Sequence, residues 1–245
     1  MGFIDFISTV GSAIRSAISS VCDAIGGALT KIGEAAKNFV SVIAEKLPID
    51  FPGTKLPIII QAIGGIIGAI AEVLGLKKPK EDEPEDMGMK AEAADKKPDN
   101  FDSTQAYIEY LQKDVKIDED KKKKLTAEEK AAYTSIGSQI YLQGAEEKMG
   151  VPQGTLTPEA MLDYVKLKTD SKEIIEHAKQ LSAEGLNTKD LSDYLHNNSE
   201  SLEKSGKVVS ALEKSFKELD PDISDEDIAD RISQMHDTVG EKAVL

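Results

Sequence analysis

Tryptophan is absent, cysteine occurs once, and only 5% of the 245 residues are aromatic. Each scarcity removes a class of function. A lone Cys22 can form no internal disulfide and no multi-cysteine zinc site. It reads as a small buried hydrophobe beside an apolar row. With few rings there is little to stack on nucleic-acid bases. Net positive charge is also missing: 30 Lys/Arg stand against 44 Asp/Glu, a formal charge of -14. Phosphate binding needs clustered cations that release counterions, so no nucleic-acid partner is expected.

Catalytic punctuation is missing too. His177, His196 and His236 fall in no HExxH or other two-ligand spacing. No Walker A, GxGxxG or GxSxG pattern occurs. Asp220-Pro221-Asp222 opens like a calcium loop, then places Asp225 where glycine belongs and Arg231 where glutamate belongs. A turn with a helix cap is the simpler reading. The chain is therefore expected to be no enzyme, with no catalytic, cofactor-binding or metal residues and no cofactor.

The N-terminus lacks a basic region followed by an uninterrupted apolar run, so no Sec signal peptide is expected. Gly2 is followed by Phe6 where myristoylation wants Ser or Thr. Asn197-Asn198-Ser199 matches a glycosylation sequon that such a chain has no route to use. The expected location is at a membrane or inside a particle.

What is present is unevenly distributed. Residues 1–80 hold 8 Lys/Arg and 6 Asp/Glu, a balance of +2, and 10 of the 18 glycines. Residues 81–245 hold 22 and 38, a balance of -16. The stretch from Lys77 to Asp102 is charged and proline-bearing, the composition of a linker. Three parts are expected: an apolar module at 1–76, a linker at 77–102, and an acidic soluble helical domain at 103–245.

In the first part, Ile7, Val10, Ile14, Ile18, Val21, Ile25, Leu29 and Ile32 form an apolar row that Ala36, Phe39 and Ile43 continue. The 3-4-4 spacing repeats every eleven residues, or 3.67 per turn. Such a row keeps to one face of a long straight helix. The opposite face is Ser, Thr and Gly with few charges, which suits either lipid headgroups or close contact with another helix. Glycine costs about 1 kcal/mol against alanine within a helix, so the segment needs a surface to fold on.

Pro48, Pro52 and Gly53 break this helix. A second begins near Leu56-Pro57 and carries Ile58, Ile59, Ile63, Gly64, Ile66, Ile67, Gly68 and Ile70. Sixteen residues between Lys55 and Glu72 are uncharged. Val73, Leu74 and Leu76 would extend them to spanning length, about 20 residues. Gly64 and Gly68 make a GxxxG spacing that permits close helix packing. A spanning or re-entrant segment, a monolayer-inserting hairpin and a protein-buried helix all remain open.

Residues 103–245 show capping signals before apolar-periodic runs. Thr126 with Glu129, Thr157-Pro158, Asp170 with Glu173, Thr188, and Ser224 with Asp227 open helices, and Gly185 closes one. Lys121–Lys124, flanked by acids, reads as a solvated turn. The expected fold class is all-α: long glycine-rich amphipathic and hydrophobic N-terminal helices, a charged linker, and a bundle of six or seven short helices.

Two functions fit. One is a non-enzymatic, membrane-interacting delivered protein, a particle-borne penetration component or a secreted effector. The alternative is an assembly protein whose N-terminal helices pack in an oligomer without lipid. The expected partners are a bilayer or protein helices through 1–76, a protein through 103–245, and a second copy in a homo-oligomer.

Overall fold

The eleven-residue apolar row folds into two helices rather than one. A computed structural model describes residues 3–25, 29–47 and 55–240, with the side chains of 3–8, 22–25 and 29–30 left aside. Among the described residues the chain is all-α: twelve α-helices and no strand. Helix α1 is Phe3–Ile25 and α2 is Leu29–Lys46. The join at Gly26-Gly27-Ala28 lies outside the described residues. A Cβ on Gly11 would lie 4.0 Å from Ala44 Cβ, and Arg15 Nη1 donates to Ser41 Oγ at 3.3 Å. The two helices therefore run back along each other. Val10, Ile14, Ile18 and Val21 of α1 are buried, as are Ile32, Ala36, Phe39, Val40 and Ile43 of α2. One long helix would leave that row in water; folding back hides it within the chain.

Helix α3 (Leu56–Val73) has Pro57 in its first turn, as its sequence suggests. It stops earlier than the spanning length expected of it. Gly75 has φ of +70°, Leu76 N donates to Ala71 O at 2.8 Å, and Gly75 N donates to Glu72 O at 3.0 Å. This Schellman pattern closes the helix at 18 residues. Its length is about 27 Å, against a hydrocarbon core of about 30 Å.

The stretch expected to be a linker is folded. Helix α4 (Pro84–Ala93) has Met87, Met89 and Ala91 buried, and a single 3₁₀ turn follows at Pro98–Asn100. Then come α5 (Thr104–Asp114), α6 (Glu119–Lys124) and α7 (Ala127–Met149). The four-lysine run is thus helical, capped by Asp118, whose carboxylate accepts from Asp120 N and Lys121 N. Helix α7 has no polar face from 131 to 138: Ala131, Ala132, Tyr133, Thr134, Ser135, Ile136, Gly137 and Ser138 are all buried. A Cβ on Gly137 would lie 1.9 Å from Pro84 O, and one on Gly88 would lie 2.1 Å from Tyr133 O. Backbone meets backbone there, and only glycine permits it.

The compact units are Met1–Ala145 and Glu146–Leu245, so the division falls in the last turns of α7 rather than at 77–102. Helices α5 and α6 belong with the N-terminal segment. The second unit contains α8 (Pro158–Leu167), α9 (Ser171–Ala183), α10 (Thr188–Leu195), α11 (Leu202–Leu219) and α12 (Asp225–Gly240). Three of its predicted caps are in place: Asp170 accepts from Lys172 N, Ser224 Oγ accepts from Asp227 N, and Gly185 takes φ of +74°; Thr157 makes no side-chain cap bond, and Asn187 rather than Thr188 caps α10. Met161, Tyr164, Ile174, Leu181, Leu212 and Phe216 form its core.

The close approach yields a paired prediction. Gly137→Ala should destabilise the protein by about 3 kcal/mol, because backbone must move to admit the methyl. Gly65→Ala, with open space around it, should be neutral or stabilising by up to about 1 kcal/mol. Urea unfolding monitored by circular dichroism separates the two.

Candidate functional site

Helix α3 is the one helix among the described residues long and apolar enough to cross a membrane. A soluble core helix meets the same criterion, so its surroundings matter. Leu56, Ile59, Ile60, Ile63, Ile67 and Ile70 are buried, and 56% of the helix is inside the fold. The remaining face looks outward. Ile58 is 64% exposed and Val73 47%, with Gln61, Ala62 and Gly65 exposed and Ile66 and Ala69 half-buried between them. No charge interrupts this outer stripe from Ile58 to Ala69, and exposed Glu72 follows it.

The two glycines of the inner face meet two elements of their own chain. A Cβ on Gly64 would come 2.4 Å from Thr134 Cγ2, 3.6 Å from Ser138 Oγ and 3.8 Å from Pro84 Cβ. One on Gly68 would come 3.1 Å from Glu83 Oε2, 3.3 Å from Pro84 Cδ and 3.4 Å from Lys77 Cε. The GxxxG spacing is thus occupied by α7 and by the start of α4.

Ionic contacts hold this junction. Lys77, nearly buried, donates to Glu83 Oε1 at 2.9 Å and to the carbonyls of Glu81 and Lys78, with Glu72 Oε2 at 3.7 Å. Lys90 pairs with Asp82 at 2.5 Å. Lys122 pairs with Asp86, and Lys121 with Glu92, whose Oε2 also accepts from Tyr133 Oη at 2.9 Å. The backbone ahead of α4 is strained: Lys80 has φ of 59° and Asp82 φ of 50°. Left-handed non-glycine residues cost about 1–2 kcal/mol each. Asp82 is held there by Tyr141 Oη, which donates to its carbonyl at 2.6 Å.

The residues of the expected lipid- or helix-packing set separate accordingly. Val10, Ile14, Ile18, Val21 and Ile32 are buried in the α1–α2 pair and its neighbours. Ile59, Ile63, Gly64, Ile67, Gly68 and Ile70 are buried in α3. Ile58 is exposed and Ile66 half-buried. The side chains of Ile7, Ile25 and Leu29 lie outside the described residues. Sequence reasoning missed Lys77, Glu83, Pro84, Thr134 and Ser138, which touch the two glycines. One signal was available: Ala, Ser and Gly repeat through 131–145 without an apolar stripe, the mark of a helix enclosed on all sides.

The titratable clusters of the second unit hold its fold together. Buried Asp163 accepts from Ser192 Oγ at 2.5 Å and faces His196 Nε2 at 3.1 Å, tying α8 to α10. His177 is fully buried against Phe216, with Tyr164 Oη 3.3 Å from its Nδ1 and Glu173 Oε1 3.7 Å from Nε2, too far for a hydrogen bond. Among the described residues no group of three or more His, Cys, Asp or Glu is arranged to hold a metal ion. No protein-family model matches the chain, and no curated protein or solved structure is similar to it.

Burial lowers the His177 pKa to about 3 from 6.5. The unfolded chain takes up this proton first, so stability falls as pH drops below about 6.5 and continues falling toward 3. Between pH 6.5 and 5 the loss is about 2 kcal/mol. Glu146 and Glu173, both pushed up by burial, act in the opposite sense. Denaturant midpoints at pH 7 and pH 5 should show the wild type losing more stability on acidification than His177→Gln.

Proposed function

We propose that this chain is a non-enzymatic, membrane-interacting protein kept in a water-soluble helical form, with α3 as its membrane-seeking element. The observation that carries this reading is the outer stripe of α3, uncharged from Ile58 to Ala69 and partly exposed on a helix of near-spanning length. Lysines 55, 77, 78 and 80 stand at the two ends, where headgroups would lie. Five buried isoleucines on the inner face stabilise the soluble form by on the order of 10 kcal/mol. A bilayer restores that burial if α3 leaves the fold, so the two forms differ by far less than this sum. At about 27 Å the helix fits a thinned or re-entrant geometry better than a tilted span. Delivery in a particle or through a secretion machine accords with a protein that must stay soluble before it meets lipid.

The assembly reading keeps one specific support: exposed Ala62 and Gly65 and half-buried Ala69 would let a second helix approach α3 closely. In that case the partner is another copy of the chain.

Vesicle flotation of the full chain, from pH 7 to pH 4, tests the proposal. The protein should float with fluid phosphatidylcholine–phosphatidylglycerol vesicles somewhere in that range. Ala62→Arg puts a charge that persists across this pH range on the exposed face near the middle of α3, which costs about 3 kcal/mol in a bilayer, so binding should fall about 100-fold with the soluble fold intact. A chain that stays helical and never floats, yet forms a stable oligomer, would establish assembly instead.

A further inference from the structure

We propose that α4 is a clasp on α3 and that acid opens it: protonating Asp82, Glu83, Asp86 and Glu92 frees the small-residue face of α3 for lipid. The inference rests on the membrane reading and adds its regulation. Its first support is position. Pro84 and Glu83 stand on Gly64 and Gly68, the face a membrane-inserted α3 would need for close packing. Helix α3 cannot leave while the start of α4 lies across it.

The second support is chemistry. The ion pairs around this segment join carboxylates at 82, 83, 86 and 92 to lysines at 77, 90, 121 and 122. Protonation cancels the carboxylate charge and leaves the lysines cationic, so each pair loses its attraction. Lys90 is then a nearly buried ammonium group without a counter-ion, and Lys77 keeps only Glu72 at 3.7 Å, both of which are costly. The third is strain. Lys80 and Asp82 sit in left-handed backbone that costs energy, so loss of the Asp82–Lys90 pair leaves the Tyr141 bond to the Asp82 carbonyl to hold that strain.

The charges around the clasp favour this sense. Helix α3 contributes Glu72 beside Lys77. The connection brings Lys78 and Glu81, paired with each other, and Lys80. Glu85 of α4 is pushed up by burial, against Lys130 of α7 and Lys122 of α6. Helix α7 adds Tyr133 and Tyr141, which stay neutral as the pH falls. The one charge among the described side chains of α1, Arg15, bonds Ser12 and Ser41. On α5, Glu109 pairs with Lys113 in solvent.

Two variants of the full chain test the clasp by vesicle flotation. In the first, Asp82→Asn, Glu83→Gln, Asp86→Asn and Glu92→Gln are combined. It should float at pH 7, at least tenfold better than the wild type, which should float only near pH 4. The second locks the clasp. A Cβ on Gly64 lies 3.8 Å from Pro84 Cβ, the separation a disulfide requires. Gly64→Cys with Pro84→Cys forms it, Thr134→Ser removes the methyl in the way, and Cys22→Ser removes the native thiol. Oxidised, this protein should bind vesicles at pH 4 at least tenfold less than after reduction. Equal binding in both redox states overturns the clasp and leaves the membrane reading standing. So does a folded amide variant that matches the wild type at pH 7. If the reduced protein and the wild type both stay unbound at pH 4, the membrane reading fails and the clasp with it.

Discussion

Two glycines on two helices make the rest of the first unit possible. Gly137 of α7 lies against the carbonyl of Pro84, and Gly88 of α4 lies against the carbonyl of Tyr133. With no side chain between them, α4 and α7 touch backbone to backbone, and Pro84 is placed over the GxxxG face of α3. That placement decides which half of α3 is buried and which half is the outer stripe. It also brings Asp86 and Glu92 within reach of Lys122 and Lys121, although α6 is a six-residue helix with no buried residue. Hydrophobic burial alone would leave α4 loosely attached, since seven of its ten residues are charged or small. The glycine contacts fix its register and the ion pairs fix its orientation.

The same economy governs the two N-terminal helices. Their apolar rows are continuous in sequence, and either a bilayer or a second helix would satisfy them. In the folded chain they satisfy each other, with α3 and α4 packing against α1. The described outer face of α1 is serine, threonine and alanine, with Arg15 bonded to Ser12 and Ser41, whereas α2 turns Lys31, Glu34, Glu45 and Lys46 to water. The fold hides most of this apolar surface and leaves a stripe of α3 facing outward.

The helices and their ends were legible because caps are local. Thr126 with Glu129, Asp170, Gly185, and Ser224 with Asp227 act within four residues of chain, and each does what its spacing implies. Helix α4 was not legible. Its sequence is as polar as a linker, and the reason it folds is a glycine about fifty residues away in another helix. The end of α3 was misread for a smaller reason. Gly75 takes the left-handed conformation that stops the helix, while Leu76, apolar and expected to extend it, turns back to bury itself. The boundary between units was misplaced because charge density marks exposure, and residues 77–102 are charged yet held in ion pairs.

The sequence by itself determined that the chain is all-helical, where most helices start and stop, and that one segment is nearly long enough to cross a bilayer. These follow from periodicity, capping and composition, which act over a few residues. Only the tertiary structure decided which faces meet. An apolar row states that it must be covered and says nothing of what covers it. Close backbone approach, buried lysines and their carboxylates depend on residues far apart in the chain, and their positions exist only once the chain has folded.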